Sequence, residues 1–334
     1  MKKLLSFVLI AVMVLTMAAC GNNDGQEAQT YTWKAANVLN AGGPWDIGLQ
    51  EFKRLLSEKS NGAIELEIFN GGQLGQERDT IEGLGLGTTD FVICSSATLS
   101  NFTDTQNIWD LPYLFHTEEE ARGVLDSEIG QSILDTLSDV GIKGLAYWEN
   151  GMYMLGSTKP IETPEDMKGL RIRTIESNLQ ADLYGAFGAT SVVIPWGDIY
   201  TSLQQRLCDV TTTTLANMYS AKQNEVATYI TEANQIYGPA PLLMSQSLWD
   251  SLPEDIQGIV LEAAKEACLV ERDAVDAAHD SAKATMESEG CTFYEVDTEE
   301  WATYVEPLYD KYVGTMGITK ENFDAVRAEA EKFR

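Results

Sequence analysis

Residues 169–194 read GLRIRTIESNLQADLYGAFGATSVVI. After the turn residue Gly169, residues 170–174 alternate apolar Leu170 and Ile172 with Arg171 and Arg173, the period-2 pattern of a strand. Ser177 followed by Gln180 is an N-terminal cap opening a helix to Phe187, and Gly188 stops it. Residues 190–194, Thr-Ser-Val-Val-Ile, are mostly β-branched and read as a second short strand. Strand, helix, strand within 26 residues predicts an α/β unit.

The same alternation extends in both directions. Residues 31–39 read as a strand and 45–59 as an amphipathic helix with Leu49, Phe52, Leu55 and Leu56 on one face. Ile64, Leu66 and Ile68 alternate with Glu65 and Glu67 in a half-buried strand. Residues 76–84 are helical, 91–94 form a short strand, Thr117 with Glu120 caps a helix to about Leu137, and 142–148 is a strand. Thr163-Pro164-Glu165-Asp166 is a capped first turn. Helix 198–207 and strand 209–214 follow. Ser251-Leu252-Pro253 opens a helical pattern to about Glu289, roughly 50 Å long at about 1.5 Å per residue. That length exceeds one small domain, so it is expected to cross between two. Together these features predict an α/β fold with largely parallel sheets.

The chain holds 334 residues, is 44% hydrophobic and carries a formal charge of −28. Its length suits two domains, and its hydrophobic content excludes wholesale disorder. A body this acidic has no general basic field for nucleic acid, and an anionic ligand must be met by a local cation. The N-terminus, Met1-Lys2-Lys3 followed by an apolar run to Met17, has the pattern of a secretory signal and is too short for a spanning helix. Met17-Ala18-Ala19-Cys20-Gly21 resembles a bacterial lipobox. Lipidation of Cys20 would hold the body outside the cytoplasm, on a membrane through lipid only, by a polar tether. No later stretch approaches spanning length.

Cys94, Cys208, Cys268 and Cys291 remain, and either disulfides or small buried side chains suit them. With only His116 and His279, and no cysteine pair at ligand spacing, no metal site is expected. Gly83, Gly85 and Gly87 lie in the order helix, glycines, strand, the reverse of a dinucleotide fingerprint. No nucleophile elbow, zinc-protease motif or phosphate loop appears. The expectation is a protein that is not an enzyme and needs no cofactor. Arg171 and Arg173 are the sharper lead: a guanidinium near a strand end grips a carboxylate through two parallel hydrogen bonds, or forms a surface ion pair.

Several motifs in order resemble the solute-binding proteins of TRAP transporters, the tripartite ATP-independent periplasmic transporters. These are Gly71-Gly72-Gln73-Leu74-Gly75-Gln76-Glu77 with Ile81-Glu82-Gly83, Asp110-Leu111-Pro112-Tyr113-Leu114-Phe115, the 169–174 strand, Pro195-Trp196-Gly197-Asp198, and Leu215-Ala216-Asn217-Met218-Tyr219. The resemblance implies a two-lobed, Venus-flytrap-like periplasmic-binding-protein fold with a long helix spanning both domains. It also implies an organic acid in the interdomain cleft and a TRAP membrane permease as partner. The family's ligand-clamping Arg falls on Arg173. Domain I is expected at 31–150 plus about 237–270, and domain II at 151–236 plus about 271–334, after a signal peptide at 1–19 and a tether at 20–30.

This chain departs from the family pattern twice. Tyr153 stands where many members carry a second Arg, and Thr213 stands where an Asn usually contacts ligand. One cation fewer disfavours a dicarboxylate, so a monocarboxylate is expected: a sugar acid, an aromatic acid or a 2-oxo acid. Trp196 and Trp45 supply aromatic faces for such a ligand, whereas Trp148 reads as core. Glu77 reads equally as a hydroxyl acceptor or as a first-turn dipole partner. Asn150, Asn217 and Tyr237 complete the candidate lining. An ABC-type or sensor-linked binding protein, and a secreted carbohydrate-active enzyme, remain the alternatives.

Overall fold

The computed structural model describes residues 29–334; the expected signal peptide, Cys20 and the expected tether up to residue 28 lie outside them. Its strands are β1 (Tyr31–Ala36), β2 (Ile64–Phe69), β3 (Phe91–Ile93), β4 (Ile142–Met152), β5 (Met154–Ser157), β6 (Arg171–Thr174), β7 (Thr190–Val193), β8 (Val210–Thr213), β9 (Tyr229–Glu232), β10 (Tyr237–Ser245) and β11 (Thr292–Glu295). They form two sheets, ordered β2-β1-β3-β10-β4 and β11-β9-β5-β8-β6-β7. Helices pack against both, so the architecture is α/β and two-lobed.

The sheets are mixed, not largely parallel. β1 with β3, β6 with β7 and β8, and β9 with β11 are parallel. β10 runs antiparallel to both β3 and β4, and β5 antiparallel to β8 and β9. β10 is hidden in the sequence by Pro239 and Pro241, which argue against a central strand. The structure accommodates them because both fall where β10 pairs with β4, while β3 pairs only with Leu242, Leu243 and Met244.

β4 is also longer than its apolar run suggests. It continues past Trp148 through Glu149 and Asn150, both buried, to Met152. One residue later the chain enters β5 of the other sheet. The return crossing, 233–236, lies beside it, and the Tyr153 amide donates to the Ile236 carbonyl at 2.9 Å. Two adjacent strand crossings therefore join the lobes.

The long helix, Glu254–Ser288, has 35 residues and rises about 50 Å. Its first half packs under the first sheet. A Cβ at Gly48, on the helix Pro44–Lys59, would stand 2.7 Å from the Trp148 ring and 2.8 Å from Glu271 Cβ, so glycine permits that close approach. Its second half belongs to the other lobe, where Ala282 and Met286 join Met154, Leu215, Met218 and Ile230 in one cluster. Pro253 precedes its first residue, and the Ser251 hydroxyl instead donates to the Leu248 carbonyl.

The helix expected from Thr117 to Leu137 is broken. Thr117 does cap it, its hydroxyl accepting from the Glu120 amide at 3.1 Å. At Ser127 the backbone turns extended, ending Glu118–Asp126 and capping Glu128–Asp135. Gly130 makes the break possible, because a Cβ there would meet the Leu125 carbonyl oxygen at 2.4 Å.

Candidate functional site

A cleft of about 740 Å³, counting its open mouth, lies between the lobes. Eight of the nine candidate residues line it: Trp45, Glu77, Asn150, Tyr153, Arg173, Trp196, Thr213 and Asn217. The ninth, Tyr237, does not. It is buried behind the lining, and its hydroxyl donates to the Glu149 carboxylate.

β6 delivers Arg173. Its neighbour on the same strand face, Arg171, is exposed and bound by Asp209 at 3.0 Å through both Nε and Nη2. Arg173 is 5% exposed. Its Nε donates to the Ile194 carbonyl at 2.9 Å, and its guanidinium carbon lies 5.9 Å from the Trp196 ring centroid. Among the described residues it enters no ion pair. Burial depresses its pKa, and Glu77 partly opposes that.

Glu77 is the first residue of the helix Glu77–Leu86. Gln76 caps that helix, with its amide donating to Asp79 Oδ2 at 2.9 Å. The Glu77 carboxylate accepts from the Ser95 amide at 2.8 Å and from the Thr98 hydroxyl. Burial raises its pKa, while these two donors and Arg173 pull it down. Of the three glycines considered for nucleotide binding, Gly83 and Gly85 lie inside this helix, and Gly87 ends it at φ 71°.

The floor is a chain of hydrogen bonds across the crossing strands. Asn217 Nδ2 donates to Asn150 Oδ1 at 3.0 Å, and Asn150 Nδ2 to the Tyr153 hydroxyl at 3.4 Å. Of the four consecutive threonines, Thr212 and Thr213 line the cleft. Tyr184 donates to the Thr212 hydroxyl at 2.9 Å, Thr211 turns to Gln223, and Thr214 caps the helix Leu215–Ser220. Trp45 lines the wall, its indole N–H donating to the Glu149 carbonyl at 2.8 Å. Trp148 is fully buried core, as expected.

Behind the floor, Glu149 is buried and held by Arg122, whose Nε reaches Oε2 at 2.9 Å and whose Nη2 reaches Oε1 at 2.5 Å. Arg122 also binds Asp276 on the long helix. Glu118, Glu149 and Asp276 bring carboxylate oxygens within 4.8 Å of one another, and the Arg122 guanidinium binds all three. The four described cysteines are free thiols. His116 is exposed and His279 half-buried.

Sequence reasoning missed Ser95 and Thr98, which hold Glu77, and Arg78 and Glu176, which flank the mouth. It also missed the apolar wall of Val38, Leu39, Val193 and Ile194. Small polar or apolar residues after a strand carry no local mark of a site; only the fold brings them together.

Residues 35–315 match the family of bacterial extracellular solute-binding proteins, family 7. A solute-binding protein of Verminephrobacter eiseniae is 31% identical over 263 residues, 78% of each chain. The C4-dicarboxylate-binding periplasmic protein DctP of Rhodobacter capsulatus is 28% identical over 306 residues, 90% of this chain and 91% of its own. The crystal structure of a TRAP periplasmic solute-binding protein from Xanthobacter autotrophicus Py2, with bound β-D-galacturonate, is similar at a TM-score of 0.85. It is 30% identical and covers 89% of this chain and 99% of its own.

Proposed function

This chain belongs to family 7 of the bacterial extracellular solute-binding proteins, and on that premise we propose that it captures a hydroxylated monocarboxylate, a sugar acid, for a TRAP membrane permease. Arg173 carries the proposal. It is a buried guanidinium in the cleft with Nε engaged by Ile194 and, among the described residues, no ion pair. Its two remaining nitrogens suit the two oxygens of one carboxylate.

The charges argue for one carboxylate, not two. The cleft's other cation, Arg78, is already held by Glu82 and Glu176. A second ligand carboxylate would meet the Glu77 carboxylate without a partner cation, which is costly in a desolvated cleft. A ligand hydroxyl would instead donate to Glu77. Asn150, Asn217 and Thr213 offer further polar contacts, and Trp45 and Trp196 offer faces for C–H groups. Capture outside the cytoplasm, with the body anchored through a lipid on Cys20, completes the proposal.

A thermal-shift screen tests it with D-galacturonate, D-galactonate, pyruvate, benzoate and succinate. A ligand at about 100 times its dissociation constant adds about 2.7 kcal/mol of stability. The sugar acids are expected to give the largest shifts. Micromolar affinity for succinate, with none for the monocarboxylates, would overturn the reading.

A further inference from the structure

The peptide just downstream of the Arg173 strand is held from the opposite lobe at two consecutive residues. Arg78 Nη1 reaches the Glu176 carboxylate at 2.9 and 3.0 Å, across the mouth of the cleft. Asn101 Nδ2 donates to the Glu176 carbonyl at 2.8 Å. The Ser177 hydroxyl donates to Asp110 Oδ2 at 2.9 Å, in a buried contact. Ser177 is at the same time the N-cap of the helix Asn178–Ala186, its hydroxyl accepting from the Gln180 amide at 3.3 Å.

Three elements of one lobe thus converge on two residues of the other. Arg78 follows Glu77 in the chain, and Glu176 comes three residues after Arg173. Glu77 is therefore the chain neighbour of one residue that ties the lobes together, and Arg173 lies three residues from another. Separating the lobes would break all three contacts together, and it would carry Arg173 away from Glu77.

We infer that Glu176 and Ser177 form an interlobe clasp, and that Arg78, Asn101 and Asp110 are positioning residues that set ligand affinity by favouring the closed cleft. Closure multiplies affinity because the apparent dissociation constant is the intrinsic one divided by the closed fraction. The exposed Arg78–Glu176 pair is screened by solvent, so it biases the opening rather than locking it. The buried Asp110–Ser177 contact is shielded from water.

The inference takes the cleft as the ligand site, as proposed above, but its first test needs no ligand. Small-angle scattering is measured on the ligand-free wild type, on Glu176→Arg, and on the swap Arg78→Glu/Glu176→Arg. The single reversal is expected to raise the radius of gyration, and the swap to bring it back. In the second arm, the dissociation constant of D-galacturonate rises about 3-fold or more in Glu176→Arg and recovers in the swap. A residue with a merely structural role would lower the melting temperature without the swap restoring the scattering. An unchanged radius in Glu176→Arg, or a swap that fails to restore it, overturns the clasp. Failure of D-galacturonate to bind the wild type counts against the sugar-acid reading alone. Glu176→Gln, which keeps size and removes charge, gives a smaller shift in the same direction and serves if the reversal folds poorly.

Discussion

Nε of Arg173 donates to the carbonyl oxygen of Ile194 at 2.9 Å, and this bond holds the guanidinium at the cleft while, among the described residues, its other nitrogens make no hydrogen bond. The side chain is buried and, among the described residues, has no carboxylate partner in an ion pair, so the ligand-free protein bears the cost of its desolvation. Removing it therefore has opposite effects on binding and on stability. Arg173→Met is expected to weaken binding of the best acid by about 30-fold or more, the lower end of about 2–5 kcal/mol for truncating one partner of a desolvated charge pair. The same variant should melt at a higher temperature than ligand-free wild type. Calorimetric titration and a melting scan check both. Unchanged affinity rejects the clamp.

Glu77→Gln separates hydroxylated from plain acids. Gln keeps the shape but replaces one acceptor oxygen with a donor, so the Ser95 amide or the Thr98 hydroxyl loses its partner. Affinity for D-galacturonate is expected to fall about 10-fold, on the scale of a hydrogen bond to a charged group. Affinity for benzoate, which has no hydroxyl, should hold or rise. Equal losses for both acids would remove Glu77 from ligand selection.

Tyr237 sits behind the lining, and its variant should show it. Its buried hydroxyl donates to the Glu149 carboxylate beside Arg122. Tyr237→Phe leaves that carboxylate short of one donor, at about 1–3 kcal/mol in stability. Denaturant unfolding should move by that amount, while the D-galacturonate dissociation constant stays within about 3-fold once folding is saturated. A large loss of affinity at full folding would put Tyr237 in contact with ligand.

The sequence marks local features well and tertiary ones poorly. Ser177 and Gly188 bound their helix because capping and a left-handed glycine are decided within a few residues. The long helix is legible for a different reason: its helical pattern persists through 35 residues. β4 reads short because Glu149 and Asn150 are polar yet buried, one paired with Arg122 and the other facing the cleft. The break at Ser127 hides in an unbroken apolar period and turns on the missing Cβ of Gly130. Arg173 stands out in the sequence as one of two alternating arginines, but spacing does not say which is buried. That is decided by Asp209, which claims Arg171 at the first residue of the strand.

Asp110 gives the protein a pH dependence whose sign follows from burial. The carboxyl is 2% exposed, and desolvation pushes its pKa up to about 6, with the Ser177 and Gln180 hydrogen bonds pulling it back. The ordinary value is 3.8. Because the folded value lies above the unfolded one, the folded protein binds more protons between about pH 4 and pH 6. Stability from this group is then fully present below about pH 4 and is lost as pH rises through 6. The shift corresponds to about 3 kcal/mol, taken as an order of magnitude. Asp110→Asn carries no titrating group. Its unfolding free energy relative to wild type should therefore increase between pH 4.5 and pH 7, a difference that cancels contributions from the other carboxylates. Urea unfolding of both proteins at pH 4.5, 5.5 and 7 measures it. A difference that stays flat, or that runs the other way, would mean that Asp110 is not held as a buried carboxyl against Ser177.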